Sequence, residues 1–200
     1  MTQRIDYFFN LGSPWAYLGL EPFLALARSV GAEVEPHVIP LIEENGGIYS
    51  RNRPEARRAY WMRDLRRWAD LRGVPLAFEG RAALADPMPA ADWVVAAHAG
   101  RKDWATLALV LHRAFWSRAE DIGALEVRRA VAQAAGFDPL ALESAASGPA
   151  VAARKRESLE LAREAGVFGV PTYRVSGELF WGQDSLPFLE RHLGGNTLAA

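Results

Sequence analysis

The sequence of 200 residues predicts an α/β fold in which strands at the two ends of the chain enclose a long helical block. Three observations predict it. The start of the chain reads strand, helix, strand. Residues 89–164 are alanine-rich and helical in pattern. The end returns to two short strands and a last helix.

Each element has a local reason. Ile5 to Asn10 is apolar and aromatic enough for a buried strand. Gly12 supplies a turn, and Ser13-Pro14 is a helix start, with an N-cap hydroxyl followed by proline at N1. Trp15, Leu18, Pro22 and Leu26 carry that helix to about Val30, where Gly31 stops it. Glu33 to Ile39 reads as a second strand, so the unit is βαβ with parallel strands and a right-handed crossover. A loop with Gly46-Gly47 and Asn52-Arg53-Pro54 leads to R-A-Y-W-M-R-D-L-R-R-W-A-D-L-R-G, which ends at Gly73 and places Trp61, Leu65 and Trp68 on one helical face. Gly100, Gly123, Gly136 and the S-G-P at 147–149 punctuate the helical block. Pro171–Val175 and Glu178–Trp181 flank Ser176-Gly177, a tight hairpin signal. Gly182-Gln183-Asp184-Ser185 then offers an N-cap for a helix through Leu193. Residues 1–45 and 165–200 together make a thioredoxin-like sheet domain, and residues 46–164 a helical insertion domain.

Composition narrows the chemistry. Half of the residues are hydrophobic and 24% are charged, as in a globular protein, and the net charge of −1 leaves no electrostatic footprint for a nucleic acid. No apolar run reaches the roughly 20 residues that span a bilayer, and the opening M-T-Q-R-I-D has no apolar leader, so the expectation is a cytoplasmic protein with no membrane partner. There is no cysteine, which excludes disulfides, thiolate ligands and intrinsic thiol redox chemistry. The four histidines are scattered without metal spacing, so no metal is expected. No G-x-S-x-G elbow or phosphate loop occurs. Arg57, Arg58, Arg63, Arg66, Arg67 and Arg72 read as the solvated face of one amphipathic helix, with one or two free to meet a substrate carboxylate.

Three stretches carry a resemblance. D-Y-F-F-N-L-G-S-P-W-A-Y-L-G, N-R-P-E-A-R-R-A-Y-W-M-R-D-L-R-R-W-A-D-L-R-G-V-P-L, and G-V-F-G-V-P-T-Y with W-G-Q-D resemble the 2-hydroxychromene-2-carboxylate isomerase family. That family is similar to the kappa-class glutathione transferases, within the DsbA-like branch of thioredoxin folds. The resemblance implies that Ser13 stands where redox relatives carry their reactive cysteine and contacts the sulfur of glutathione, with Pro14 and Trp15 beside it. It also implies that Asn52, Val170 before a cis-Pro171, and Gln183, Asp184 and Ser185 form the rest of the glutathione site. Tyr60 and Trp61 are the candidates for an aromatic substrate pocket. Met62 stands where relatives often carry lysine, Ser185 where many carry arginine, and Pro87-Met88-Pro89-Ala90-Ala91 where a proline-asparagine element is common.

The implied function is a glutathione-dependent cis-trans isomerase acting on 2-hydroxychromene-2-carboxylate or a related aromatic carboxylate, working as a homodimer. A kappa-like glutathione transferase and a non-catalytic glutathione- or peptide-binding module are the alternatives. The physical logic lies in the serine. A thiol with a pKa near 8.5 is a minority thiolate at neutral pH, and a helix N-terminus with a hydroxyl donor favours the anion. Cysteine at this position could trap glutathione as a mixed disulfide, whereas serine leaves the sulfur free to react. Each residue also has a plain structural role open to it. Ser13 is a good N-cap in its own right, Asn52 a turn former, Asp184 a first-turn acid, and Tyr60 and Trp61 core packing. Pro171 by itself predicts a trans bond.

Overall fold

The computed structural model describes residues 3–195. The expected domain limits at residues 1–2 and 196–200 therefore lie outside the described residues. Strands β1 (Arg4–Phe9), β2 (Glu33–Val38), β3 (Thr172–Val175) and β4 (Glu178–Trp181) form one sheet in the order β2-β1-β3-β4. β1 pairs in parallel with β2, bringing Phe9 opposite Val38, and antiparallel with β3, bringing Tyr7 opposite Tyr173. The crossover between β1 and β2 is α1 (Pro14–Ser29), ended by Gly31 at φ 65°. The β3–β4 turn has Ser176 and Gly177 at φ 51° and 91°, the left-handed pair that a two-residue hairpin requires. Sheet and turn match the thioredoxin-like expectation.

Between the sheet's halves lie α2 (Glu55–Arg72), α3 (Met88–Ala99), α4 (Trp104–His112), α5 (Leu125–Ala134), α6 (Pro139–Ala146) and α7 (Pro149–Glu164), and α8 (Leu186–Leu193) closes the chain. A π-helical turn, Arg113–Ser117, continues α4. Among the described residues no helix is long and apolar enough to cross a membrane.

The alternation of β1 sets the core. Ile5, Tyr7 and Phe9 face the layer that contains α1, α3 and α4, and Phe8 faces the opposite side with Ile39, Ile42, Ala162 and Val167. Tyr7 stacks on Phe9 at 4.6 Å and on Tyr173 at 5.4 Å between ring centroids, and Phe23 of α1 closes on both tyrosines. The helical layer thus packs directly on the strands.

Polar groups inside this core serve as cross-links. His37 on β2 places Nδ1 3.0 Å from the Ser158 hydroxyl of α7 and Nε2 3.3 Å from the Asp6 carboxylate of β1. The trio has the composition of a hydrolase relay, but Ser158 is only 2% exposed and no substrate reaches it. His98 and Arg154 both meet Glu35, tying β2 to α3 and α7.

His112 is different. Its ring is fully buried against Tyr17 and Phe9, and neither nitrogen has a hydrogen-bond partner. Burial lowers its pKa to about 3. Between the ordinary value of 6.5 and about 3, the unfolded chain binds a proton there that the folded chain does not. Stability should therefore rise with pH across that window, by up to about 1.4 kcal/mol per unit. Urea denaturation at pH 4.5–7 is expected to show this slope, and the variant His112→Phe to flatten it.

Candidate functional site

The site begins at the turn after β1. Asn10 accepts from the Gly12 N–H at 2.7 Å through its side-chain oxygen, and its backbone carbonyl accepts from the Ser13 N–H at 3.0 Å. Its amide nitrogen donates to the Ile39 carbonyl beyond β2 at 2.9 Å. This Asx-type turn aims the chain into α1 and fixes Ser13 at the helix N-cap. The Ser13 Oγ accepts from the Ala16 N–H at 3.2 Å and donates to the Val170 carbonyl at 3.2 Å. Of the first-turn groups, Pro14 has no N–H, Ala16 is capped by Ser13, and Tyr17 donates to the Ser13 carbonyl at 3.1 Å. Among the described residues, only the Trp15 N–H is left without an acceptor in that turn.

Val170 comes from the far end of the chain. The Val170–Pro171 peptide bond is cis, as the resemblance implied and against the expectation from the residues alone. Around it, the Thr172 hydroxyl donates to the Gly169 carbonyl at 2.7 Å and the Gly182 N–H to the Pro171 carbonyl at 2.9 Å.

Ser13 and Val170 open onto a cavity of about 1270 Å³. Single small-molecule sites are usually roughly 300–1,000 Å³, so the space suits two ligands together. The two ends of the chain contribute Ser13, Pro14, Trp15, Val170 and Asp184 to its lining, with Phe168 and Trp181. The helical block contributes Tyr60, Trp61 and Trp68 of α2 and Phe115 and Trp116 of the π-helical turn. Trp15, Trp61 and Trp68 also pack on Leu18, Leu65 and Ala69, so α2 docks on α1 through the cavity's aromatic wall. Tyr60 stands half-exposed at the mouth.

Three expected site residues lie elsewhere. Asn52 ends the 3-10 turn Ser50–Asn52 and points to solvent, and the next residue, Arg53, lines the cavity instead. Gln183 is buried beneath α1, where its Oε1 accepts from the Arg72 guanidinium at 3.0 Å. The approach is close enough that a Cβ on Gly19 would sit 2.6 Å from the Gln183 Cβ, so glycine is needed there. Ser185 makes no cap with its side chain, and its hydroxyl donates to the Gly182 carbonyl at 2.8 Å.

Of the α2 arginines, Arg57, Arg58, Arg63, Arg66 and Arg67 are exposed, as the solvated-face reading expects, and Arg72 is half-buried. Arg57 lines the cavity, Arg66 stacks over Phe78 at 4.5 Å, and Arg72 holds Gln183.

Two cationic lining residues carried no signal in the sequence. The Arg53 Nε is buried without a partner, and burial together with the charge of Arg57 lowers its pKa. Arg81, on the loop before α3, lies 3.8 Å over the Trp116 ring and 4.4 Å over that of Phe115, and its Nη1 donates to the Phe115 carbonyl. Burial lowers its pKa to about 10, and no carboxylate forms an ion pair with it among the described residues. Asp64, Asp86 and Asp184 are the lining acids. Among the described residues, no group of three or more His, Asp or Glu side chains gathers around a common point that could hold a metal.

Comparison with known proteins agrees with this fold. Residues 4–194 match the family of DSBA-like thioredoxin domains. A 2-hydroxychromene-2-carboxylate isomerase of Sphingobium xenophagum is 34% identical, over 96% of this chain and 99% of its own. A solved 2-hydroxychromene-2-carboxylate isomerase superposes with a TM-score of 0.79 at 28% identity, over 96% of this chain and 95% of its own. The cytosolic disulfide reductase DsbM of Pseudomonas aeruginosa, solved with GSH, superposes with a TM-score of 0.69 at 25% identity, over 96% of this chain and 99% of its own.

The packing beneath the site has a direct consequence. Gly19→Ala is expected to destabilise the fold by about 1–3 kcal/mol through overpacking against Gln183. Denaturant unfolding measures it, and the same variant should loosen the turn that carries Asp184.

Proposed function

Because the chain belongs to the 2-hydroxychromene-2-carboxylate isomerase family of DSBA-like thioredoxin domains, we propose that it is a glutathione-dependent isomerase of 2-hydroxychromene-2-carboxylate or a closely related aromatic carboxylate. The observation that carries the glutathione requirement is the environment of Ser13. A hydroxyl and an unpaired Trp15 N–H meet at the N-terminus of α1, facing a cavity, in a chain that has no sulfur nucleophile of its own. The GSH held by the DsbM relative agrees with this reading.

When bound, glutathione supplies a thiolate that adds reversibly to the conjugated substrate and so makes a double bond rotatable. The chain's own residues prepare that chemistry. The Ser13 hydroxyl turns its hydrogen from the Val170 carbonyl to the sulfur while its oxygen keeps the Ala16 cap. The Trp15 N–H and the positive end of α1 add a second stabilising contribution to the anion. Release of the Val170 carbonyl frees it to pair with the tripeptide backbone in β-fashion. Asp184 takes the α-amino group by a charge-assisted bond, and Arg53 and Arg57 supply positive charge for the tripeptide's carboxylates. The aromatic wall of Trp61, Trp68 and Trp116 holds the substrate rings and excludes water. The reading includes a homodimer in the cytoplasm.

The kappa-like transferase alternative differs in its product. In a spectrophotometric assay with 2-hydroxychromene-2-carboxylate, turnover is expected only with glutathione present, and the product mass is unchanged. Ser13→Ala should slow turnover by roughly 10- to 150-fold, the worth of one hydrogen bond to a charged acceptor. Circular dichroism checks that the variant, which also loses an N-cap, is folded. Turnover indifferent to glutathione contradicts the proposal, and a stable glutathione adduct favours the transferase.

A further inference from the structure

We infer that Arg81 is the receptor for the carboxylate of the aromatic substrate, an inference that rests on the isomerase reading above. The argument starts from what the guanidinium already does. Nη1 is committed to the Phe115 carbonyl, and the guanidinium lies against both the Phe115 and Trp116 rings, which stand at 88° to each other. Nε and Nη2 make no hydrogen bond to any described residue. Those two donors form the side-on fork that fits a carboxylate with two parallel bonds. The remaining fork therefore belongs to the cavity that Arg81 lines.

The π-helical turn is what makes this arrangement. Five residues, Arg113–Ser117, widen the end of α4 and turn both the Phe115 carbonyl and the Trp116 ring toward the loop that carries Arg81. Trp116 is itself held at both ends, donating through Nε1 to the Leu11 carbonyl at 2.9 Å and accepting at its own carbonyl from the Ala77 N–H at 2.7 Å. The cation is thus oriented before any ligand arrives, which lowers the ordering cost of binding.

Charge and position select the ligand. Arginines elsewhere, such as Arg113 with Glu21, Arg129 with Glu143 and Arg154 with Glu35, are neutralised by a paired acid. Arg81 is partly buried in a cavity wall with no counter-ion, a costly arrangement unless an anion visits. It comes from the helical block, as do Phe115 and Trp116, whereas Ser13, Val170 and Asp184, the groups suited to the tripeptide, come from the two ends of the chain. An anion attached to an aromatic ring matches that wall, because the ring continues the stack of Trp116 while its carboxylate meets the fork.

Calorimetry with phenylpyruvate, an aromatic α-keto acid, tests this without requiring turnover. The full chain should bind the acid at least about tenfold more tightly than its methyl ester, and Arg81→Gln should erase that difference. Arg57→Gln should leave it intact, and glutathione affinity should change less than twofold in Arg81→Gln. If Arg81→Gln does not fold, Arg81→Lys keeps the cation without the fork and should show a reduced preference for the acid. Equal losses for acid and ester, or an effect confined to Arg57→Gln, overturn the inference. If the wild-type chain shows the preference but no glutathione-dependent turnover, the isomerase reading fails and the receptor assignment survives.

Discussion

The hydrogen bond from Ser13 to the Val170 carbonyl joins residues 157 positions apart and determines where everything else in the site can be. It clamps the N-terminus of α1 against the segment that enters β3. Both partners are placed by the sheet, since β1 delivers Ser13 through the Asn10 turn and β3, paired directly to β1, delivers Val170. The same bond holds a carbonyl and a hydroxyl in mutual use. A cysteine in this position would change the reaction class, because sulfur would become a protein nucleophile. With serine, in a chain without cysteine, the protein offers no nucleophilic sulfur of its own.

The cavity follows from joining two kinds of structure. The sheet side contributes backbone polar groups and Asp184, suited to a peptide. The helical side contributes Trp61, Trp68 and Trp116 with Arg57 and Arg81. Neither side encloses the space alone, and the cluster of Leu18, Leu65 and Ala69 that docks α2 onto α1 is what holds them face to face. The buried Gln183–Arg72 pair does the same at the other end of α2, so a residue expected to touch a ligand instead braces the wall.

Much of this was legible in the chain. Ser-Pro at the helix start, glycine at the helix ends and Ser-Gly between two short strands each act through local backbone chemistry, and each appears where its local signal placed it. The aromatic face of α2 was readable from its spacing. What was not readable depends on three-dimensional direction. Asn52 and Arg53 are neighbours in sequence, but the tight turn sends one to solvent and the other to the cavity. Arg81 lies in a loop with no periodicity, and its partner carbonyl exists only because α4 widens into a π turn, which no residue pattern announced. Asn10 did carry a signal, since N-L-G after a strand is an Asx turn, and only its connection to Ile39 needed the fold.

The most direct measurement is the ionisation of glutathione held by the protein, followed by the ultraviolet absorbance of its thiolate as pH is varied. The account predicts that the bound thiol titrates about one to two units below the free value, and that Ser13→Ala returns it most of the way. A bound thiol that ionises as it does in water, or a titration identical in the two proteins, would contradict the account.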